Sequence, residues 1–266
     1  MFQKYSIIRV SIILFFITCS ILNAQMIGTP IGSKGQGEWS LACTGSFMTQ
    51  QVGNETATSQ RLLMKSTYGV VPWLDFVATI GAANLKLDSP VDNVQDFEGN
   101  HKFAFGAGLN FTLKQETESQ PLGLYAGAHL LRFPAKGHFQ QTVSGEDVIY
   151  LYRENRMEYD WREVLVYGGW SYRISNLRLY GCGVGWSLSR IEKKMEYQYE
   201  TVENKEFIAE VRSEFQSELW TGAMVGIEVA FPKTGYVFNV EGLFFNTQNF
   251  ILMVGIGQTG IVESGW

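Results

Sequence analysis

The chain has 266 residues, with 21 basic against 26 acidic side chains and a formal net charge of −5. That balance excludes a nucleic-acid surface, which needs clustered positive charge, and the three cysteines show no metal-ligand spacing. The length suits one large β domain. The leading residues read as an export signal: Lys4 and Arg9 give a positive start, 10–17 is apolar apart from Ser11, and Leu22-Asn23-Ala24 forms a cleavage site before Gln25. The apolar run is shorter than the ~20 residues a membrane helix requires. Cys19 raises a lipoprotein alternative, but Phe16-Ile17-Thr18 lacks the small residues expected before a lipidated cysteine. The expected organisation is a signal over 1–24, a Gly-rich lead-in over 25–36 and a single domain over 37–266. No later stretch is apolar and long enough for a transmembrane helix, so membrane residence would require a closed barrel.

Alternation of side chains predicts ten strands, near 37–50, 60–71, 74–88, 102–114, 122–133, 160–174, 177–191, 215–231, 235–246 and 249–260. In the third, Leu74, Phe76, Ala78 and Ile80 oppose Asp75, Val77, Thr79 and Gly81. In the fourth, Phe103, Phe105, Ala107, Leu109, Phe111 and Leu113 oppose Ala104, Gly106, Gly108, Asn110 and Thr112. A soluble sheet puts charges on its outer face. Here the face opposite the apolar one is small and polar, as in a barrel whose apolar side meets lipid. The seventh strand groups Tyr180, Cys182, Val184, Trp186 and Leu188 on one face. The eighth groups Thr221, Ala223, Val225, Ile227 and Val229 against Trp220, Gly222, Met224, Gly226 and Glu228.

Short connections at 72–73, 175–176 and 232–235, with a modest one at 115–121, alternate with longer ones at 51–59, 89–101, 134–159 and 192–214. The short link 246–248 is the exception. This alternation is that of periplasmic turns and external loops. Tyr68, Trp73, Trp170, Tyr172, Phe231 and Tyr236 flank the short turns and are candidates for an interfacial aromatic girdle. The long connections carry mixed charge, and the segments 157–161 and 195–199 extend their strands as a projecting hairpin in one reading. Cys43 and Cys182 fall in strands among small residues, either as a disulfide or as two packed thiols.

With these features the chain resembles a small Gram-negative outer-membrane β-barrel of the porin-like or OmpA-barrel kind. The resemblance rests on the signal ending Leu22-Asn23-Ala24, the strand–turn–strand over 68–81 and the final apolar strand over 250–256. It implies an all-β, antiparallel up-and-down barrel of about ten strands, with eight as the rival count. It implies residence in the cell outer membrane, contact with outer-membrane lipid and handling by the barrel-assembly machinery. It also implies a terminal aromatic assembly signal, for which Trp266 is the candidate.

By alternation Lys65, Asp75, His129, Arg173, Glu218, Glu228 and Glu241 line the lumen, where Lys65 and Arg173 would pair with Glu228 or Glu241. Buried charges must be paired or wetted, and a barrel of this size is mostly filled by side chains. A salt-bridged plug is thus the leading expectation and a narrow pore its rival, the inward glycines leaving volume for water. Around His129 no serine is fixed as a nucleophile, and no Asp-x-His pair occurs, so the constellations of outer-membrane deacylases and proteases are missing. The expectation is therefore no enzyme, no catalytic residue, no metal and no cofactor. The expected role is structural or a narrow passive pore. One alternative is a surface adhesion or binding protein meeting an extracellular partner through the loops near 134–159 and 192–214. Another is a soluble periplasmic ligand-binding barrel, with the faces reversed.

Overall fold

A computed structural model describes residues 36–52, 55–88, 97–139, 144–145, 148–149, 155–200, 206–216, 220–231, 233–246 and 248–261. The export signal, most of the lead-in and the assembly-signal candidate Trp266 lie outside the described residues. The strands are β1 (Trp39–Val52), β2 (Glu55–Val71), β3 (Leu74–Asp88), β4 (Phe97–Lys114), β5 (Leu122–Phe139), β6 (Ser144–Gly145), β7 (Val148–Ile149), β8 (Asn155–Ile174), β9 (Leu177–Glu200), β10 (Glu206–Gln216), β11 (Trp220–Phe231), β12 (Tyr236–Phe244) and β13 (Phe250–Ile261). Ten of them close into an antiparallel barrel, in the order β1-β2-β3-β4-β5-β8-β9-β11-β12-β13. β13 pairs back onto β1 to seal it. β10 pairs with the far half of β9, and β6 pairs with β7 alone.

An apolar belt covers the outside of the barrel beside the short turns. Phe76, Ile80, Phe103, Phe105, Leu109, Leu113, Leu124, Leu130, Val225, Ile227, Phe238 and Val240 are all exposed, with Phe103 at 62%. On β5 the belt runs over 122–130 and on β8 over 164–174, which matches the roughly 9–11 residues a tilted strand needs to cross a bilayer. Tyr172, Trp170, Trp73, Phe231 and Tyr236 are exposed beside the turns. Tyr68 is half-buried there, its ring 4.7 Å from that of Trp39.

Two sequence expectations change. The strands run well beyond the belt: β1 and β2 leave only 53–54 between them, and much of the expected loops at 134–159 and 192–214 is strand. These segments keep a strand period that their outward charges hide, because their inward positions are apolar. Ala57, Leu85, Leu87, Phe97, Phe133, Ala135, Tyr159, Trp161 and Ile191 are all buried. The second change is on β9. Its pairing skips Gly185 towards both neighbours: Trp186 and then Val184 follow one another opposite Val166 and Tyr167, and Ser187 and then Val184 opposite Trp220 and Gly222. One extra residue inverts the alternation. Tyr180 and Cys182 therefore belong to the interior core, and the single apolar face expected over 180–188 does not exist. Cys43 and Cys182 form no disulfide. Thr44, Ser46 and Met48 take the inward positions of β1, so Cys43 sits on the outward side of the wall and Cys182 on the inward side.

Candidate functional site

The interior is stratified. At its outer end it is an apolar core, with the Phe97 ring tilted against Tyr159 at 4.4 Å and Phe133 stacked on Trp161 at 6.0 Å. Below this core lies a buried ion pair. Arg61 Nη1 donates to Glu163 Oε2 at 2.9 Å, with the two side chains 0% and 4% exposed. Arg61 Nε donates to Ser59 Oγ at 2.9 Å, and Trp161 Nε1 donates to the same Glu163 oxygen at 3.3 Å. The guanidinium carbon lies 5.0 Å from the Phe133 ring centre and 5.7 Å from that of Trp161, within cation–π range. The fork of donors and the flanking rings together compensate a charge held away from water.

The half nearer the short turns is polar. Tyr180 Oη donates to Glu241 Oε1 at 2.7 Å, and Asn239 Nδ2 to the same oxygen at 3.2 Å. Tyr167 Oη donates to Asn110 Oδ1 at 2.5 Å and Tyr125 Oη to the carbonyl of Gly181 at 3.0 Å. Arg178 joins Glu116 Oε2 at 2.9 Å and Glu228 Oε1 at 2.6 Å, so the 115–121 connection folds under the barrel and forms its floor. Between the two halves is a cavity with room for about one water molecule, lined by Leu63, Thr79, His129, Leu131, Glu163 and Leu165. The inward glycines do not open a channel. A methyl group at Gly108 would overlap the His129 ring, and one at Gly226 would overlap the ring of Tyr180. They seat rings rather than water.

Of the residues read as lumen-lining, Lys65, Asp75, His129, Glu228 and Glu241 are buried on the inward side. Arg173 is not. It has inward parity but lies past the floor, exposed, with Nε donating to the Ser175 carbonyl at 3.1 Å. The cation of the floor is Arg178, which the Gly185 bulge concealed by reversing the apparent face of β9. Glu218 lies outside the described residues. Arg61 and Glu163 were also missed. Arg61 shares the parity of Lys65 but sits at the very edge of the strand expected over 60–71. Glu163 lies within the strand expected over 160–174, at its charged start beside the 134–159 connection. Among the described residues no group of three or more His, Cys, Asp or Glu could hold a metal ion.

Beyond the belt, β5, β8, β9 and β10 form a projecting wall with charges on its outward side. Arg132 Nε reaches Asp160 Oδ1 at 2.8 Å, Arg162 Nη2 reaches Asp160 Oδ2 at 2.6 Å and Glu192 Oε2 at 3.4 Å, and Lys136 Nζ reaches Glu158 Oε1 at 2.6 Å. Arg190 pairs with Glu214. Partial burial pushes the Asp160 carboxyl upward, but the hydrogen bonds and charges of Arg132 and Arg162 outweigh it and hold the group below its ordinary value.

A closed, ten-stranded antiparallel barrel with an outward apolar belt defines an outer-membrane β-barrel protein. No protein-family model matches the chain, and no curated protein matches it. Similar solved structures include the outer membrane protease OmpT from Escherichia coli, at 15% identity and TM-score 0.39, covering 84% of this chain and 94% of that one. The translocator domain of the autotransporter NalP from Neisseria meningitidis has 12% identity and TM-score 0.47, with 84% and 88% covered. Ail, the attachment invasion locus protein of Yersinia pestis, has 10% identity and TM-score 0.30, with 85% and 98% covered. At these identities and scores none of the three assigns an activity, ligand or partner to this chain. The first does correct one expectation. Enzymes had been excluded for this chain, and a protease among the similar barrels overturns that exclusion without supplying a catalytic residue.

Proposed function

We propose that the chain is an exported outer-membrane barrel with a structural, non-conducting role, its lumen shut by its own side chains. The observation that carries this reading is the buried Arg61–Glu163 pair beside the buried, stacked rings of Phe133 and Trp161. An ion crossing the barrel would have to displace both, and the Arg178 floor after them. Planar-bilayer recording of the refolded protein at several salt concentrations is the direct test. The expected trace is flat, and reproducible unit conductance steps would return the lumen to the pore reading. The outward apolar belt favours lipid over a soluble periplasmic setting. The signal over 1–24, lipid contact and delivery through the barrel-assembly machinery complete the proposal, and cell fractionation with a heat-modifiability gel tests them together.

A second reading is supported by the projecting wall. A barrel that served only to span the bilayer has no use for β9 continuing to Glu200 or for β10. In this reading the wall meets an extracellular partner. Removing the segments 139–155 and 194–212 should leave insertion intact and abolish binding to cells or matrix. Binding that survives the deletion would remove the wall from consideration.

A further inference from the structure

The outward charges of the projecting wall are ordered in rows. Backbone register sets Arg132, Arg162 and Arg190 opposite one another on β5, β8 and β9. The neighbouring row holds Asp160, Glu192 and Glu214 on β8, β9 and β10. Like charges directly opposite one another destabilise a sheet, and a wall arranged for stability alone would alternate signs across its strands. In these two rows the signs are alike across the strands, whereas the next row outward, Lys136, Glu158 and Lys194, alternates. The ion pairs of the two like-signed rows run diagonally from Arg132 and Arg162 to Asp160, from Arg162 to Glu192 and from Arg190 to Glu214. The acidic row lies farther from the membrane.

The level of the arginine row is set by the belt. Arg132 is the outward residue following exposed Leu130 on β5, and Arg162 the one beyond Val164 on β8. Arg190 stands opposite Arg162. The row therefore begins where the hydrocarbon ends, at headgroup depth. Each guanidinium has five N–H donors. The ion pairs with the acidic row occupy Nε of Arg132, Nε and Nη2 of Arg162 and Nε of Arg190. Both terminal nitrogens of Arg132 and Arg190, and Nη1 of Arg162, have no partner among the described side chains, and the three side chains stay 47%, 37% and 47% exposed. Adjacent strands are about 4.8 Å apart, so the row spans about 10 Å. That is a width suited to phosphate groups, which arginine forks recognise bidentately.

We propose that Arg132, Arg162 and Arg190 form a docking site for the phosphate of an anionic lipid headgroup in the leaflet beside the projecting wall. The acidic row competes with the headgroup phosphate for the guanidinium donors from the far side. The site rests on the reading that the barrel is inserted in a membrane.

The test uses the full chain refolded into phosphatidylcholine vesicles with a trace of spin-labelled phosphatidic acid or spin-labelled phosphatidylcholine. The spectrum reports the fraction of each lipid held at the protein surface. The wild type should prefer phosphatidic acid, and the triple variant Arg132→Gln, Arg162→Gln, Arg190→Gln should lose that preference by on the order of tenfold. The variant Glu192→Gln, Glu214→Gln should strengthen it. Equal preference in wild type and triple variant overturns the site, as does an effect of the acidic-row variant in the opposite direction. Displacement of the lipid by inorganic phosphate would assign the row to a free anion and overturn the lipid assignment. If the triple variant does not insert, the acidic-row variant decides alone. A wild type that shows no heat-modifiable insertion removes the membrane reading itself, and the site with it.

Discussion

Arg61 shows what a single residue must satisfy in this interior. Its side chain is 0% exposed and depends on Glu163, Ser59 and two flanking rings. Removing one member of such a pair leaves the other charge buried alone, at a cost of about 3–5 kcal/mol. Glu163→Gln should therefore lower the unfolding free energy of the refolded barrel by that order, read as a lower denaturant midpoint at unchanged slope. Arg61→Met combined with Glu163→Leu should lose much less, which intrinsic tryptophan fluorescence can follow. Gly226→Ala forces a methyl group onto the Tyr180 ring and should cost about 1–3 kcal/mol as overpacking. An unchanged unfolding curve would mean that the ring moves aside freely. Asp160 provides the pH dependence. Its folded-state carboxyl is held below the ordinary value, so its contribution is present above about pH 4 and is lost as pH falls through the folded value. Its arginine partners are substantially exposed, so solvent screening limits the effect to about 1 kcal/mol or less. Asp160→Asn should be less stable than wild type at neutral pH, with the gap closing in acid.

At the scale of the element, β9 decides the most. Gly185 is an extra residue on that strand, and with it Arg178, Tyr180 and Cys182 point inward while Ser189 and Ile191 also do. Deleting Gly185 would put either the Arg178–Glu228 floor or the Ile191 layer on the wrong side of the wall. The expected result is a barrel that fails to acquire heat-modifiable mobility, and normal assembly would show that the bulge can be dispensed with. The bulge also explains why the floor cation was misread. Arg173 and Arg178 flank the same tight turn. Strict alternation without the bulge selects the first for the lumen, and the true geometry selects the second. The lengths of β5, β8, β9 and β10 were similarly masked, because charged outward residues imitate a solvated loop when their apolar partners on the inward side are not counted.

For the whole molecule, closure matters more than any local element. A sheet sealed between β13 and β1 has no unpaired edge within the belt, which is the condition for strands to cross a bilayer. Closure also turns the interior into two compartments, an apolar outer core and a polar inner half with its own floor. Barrel size and charge pairing lead to the expectation of a filled lumen, which the proposed function carries forward. The arrangement that fills it does not follow from them. Heating should be needed to shift the electrophoretic mobility of the refolded chain, and a mobility indifferent to boiling would argue against a closed, detergent-resistant barrel.

The sequence by itself determined the class of fold, the ten strands of the wall, most of their inward and outward faces, and the short turns at one rim. These follow from the two-residue period of a strand and from turn chemistry, both of which are local. Only the tertiary structure decided which charges meet. Arg61 finds Glu163 across 102 positions, and Arg178 finds Glu116 and Glu228 across 62 and 50. Only the structure showed that the arginines beyond the belt form one row. Register and barrel tilt fix such pairings, and a single bulge shifts them for the rest of its strand. No local pattern encodes them.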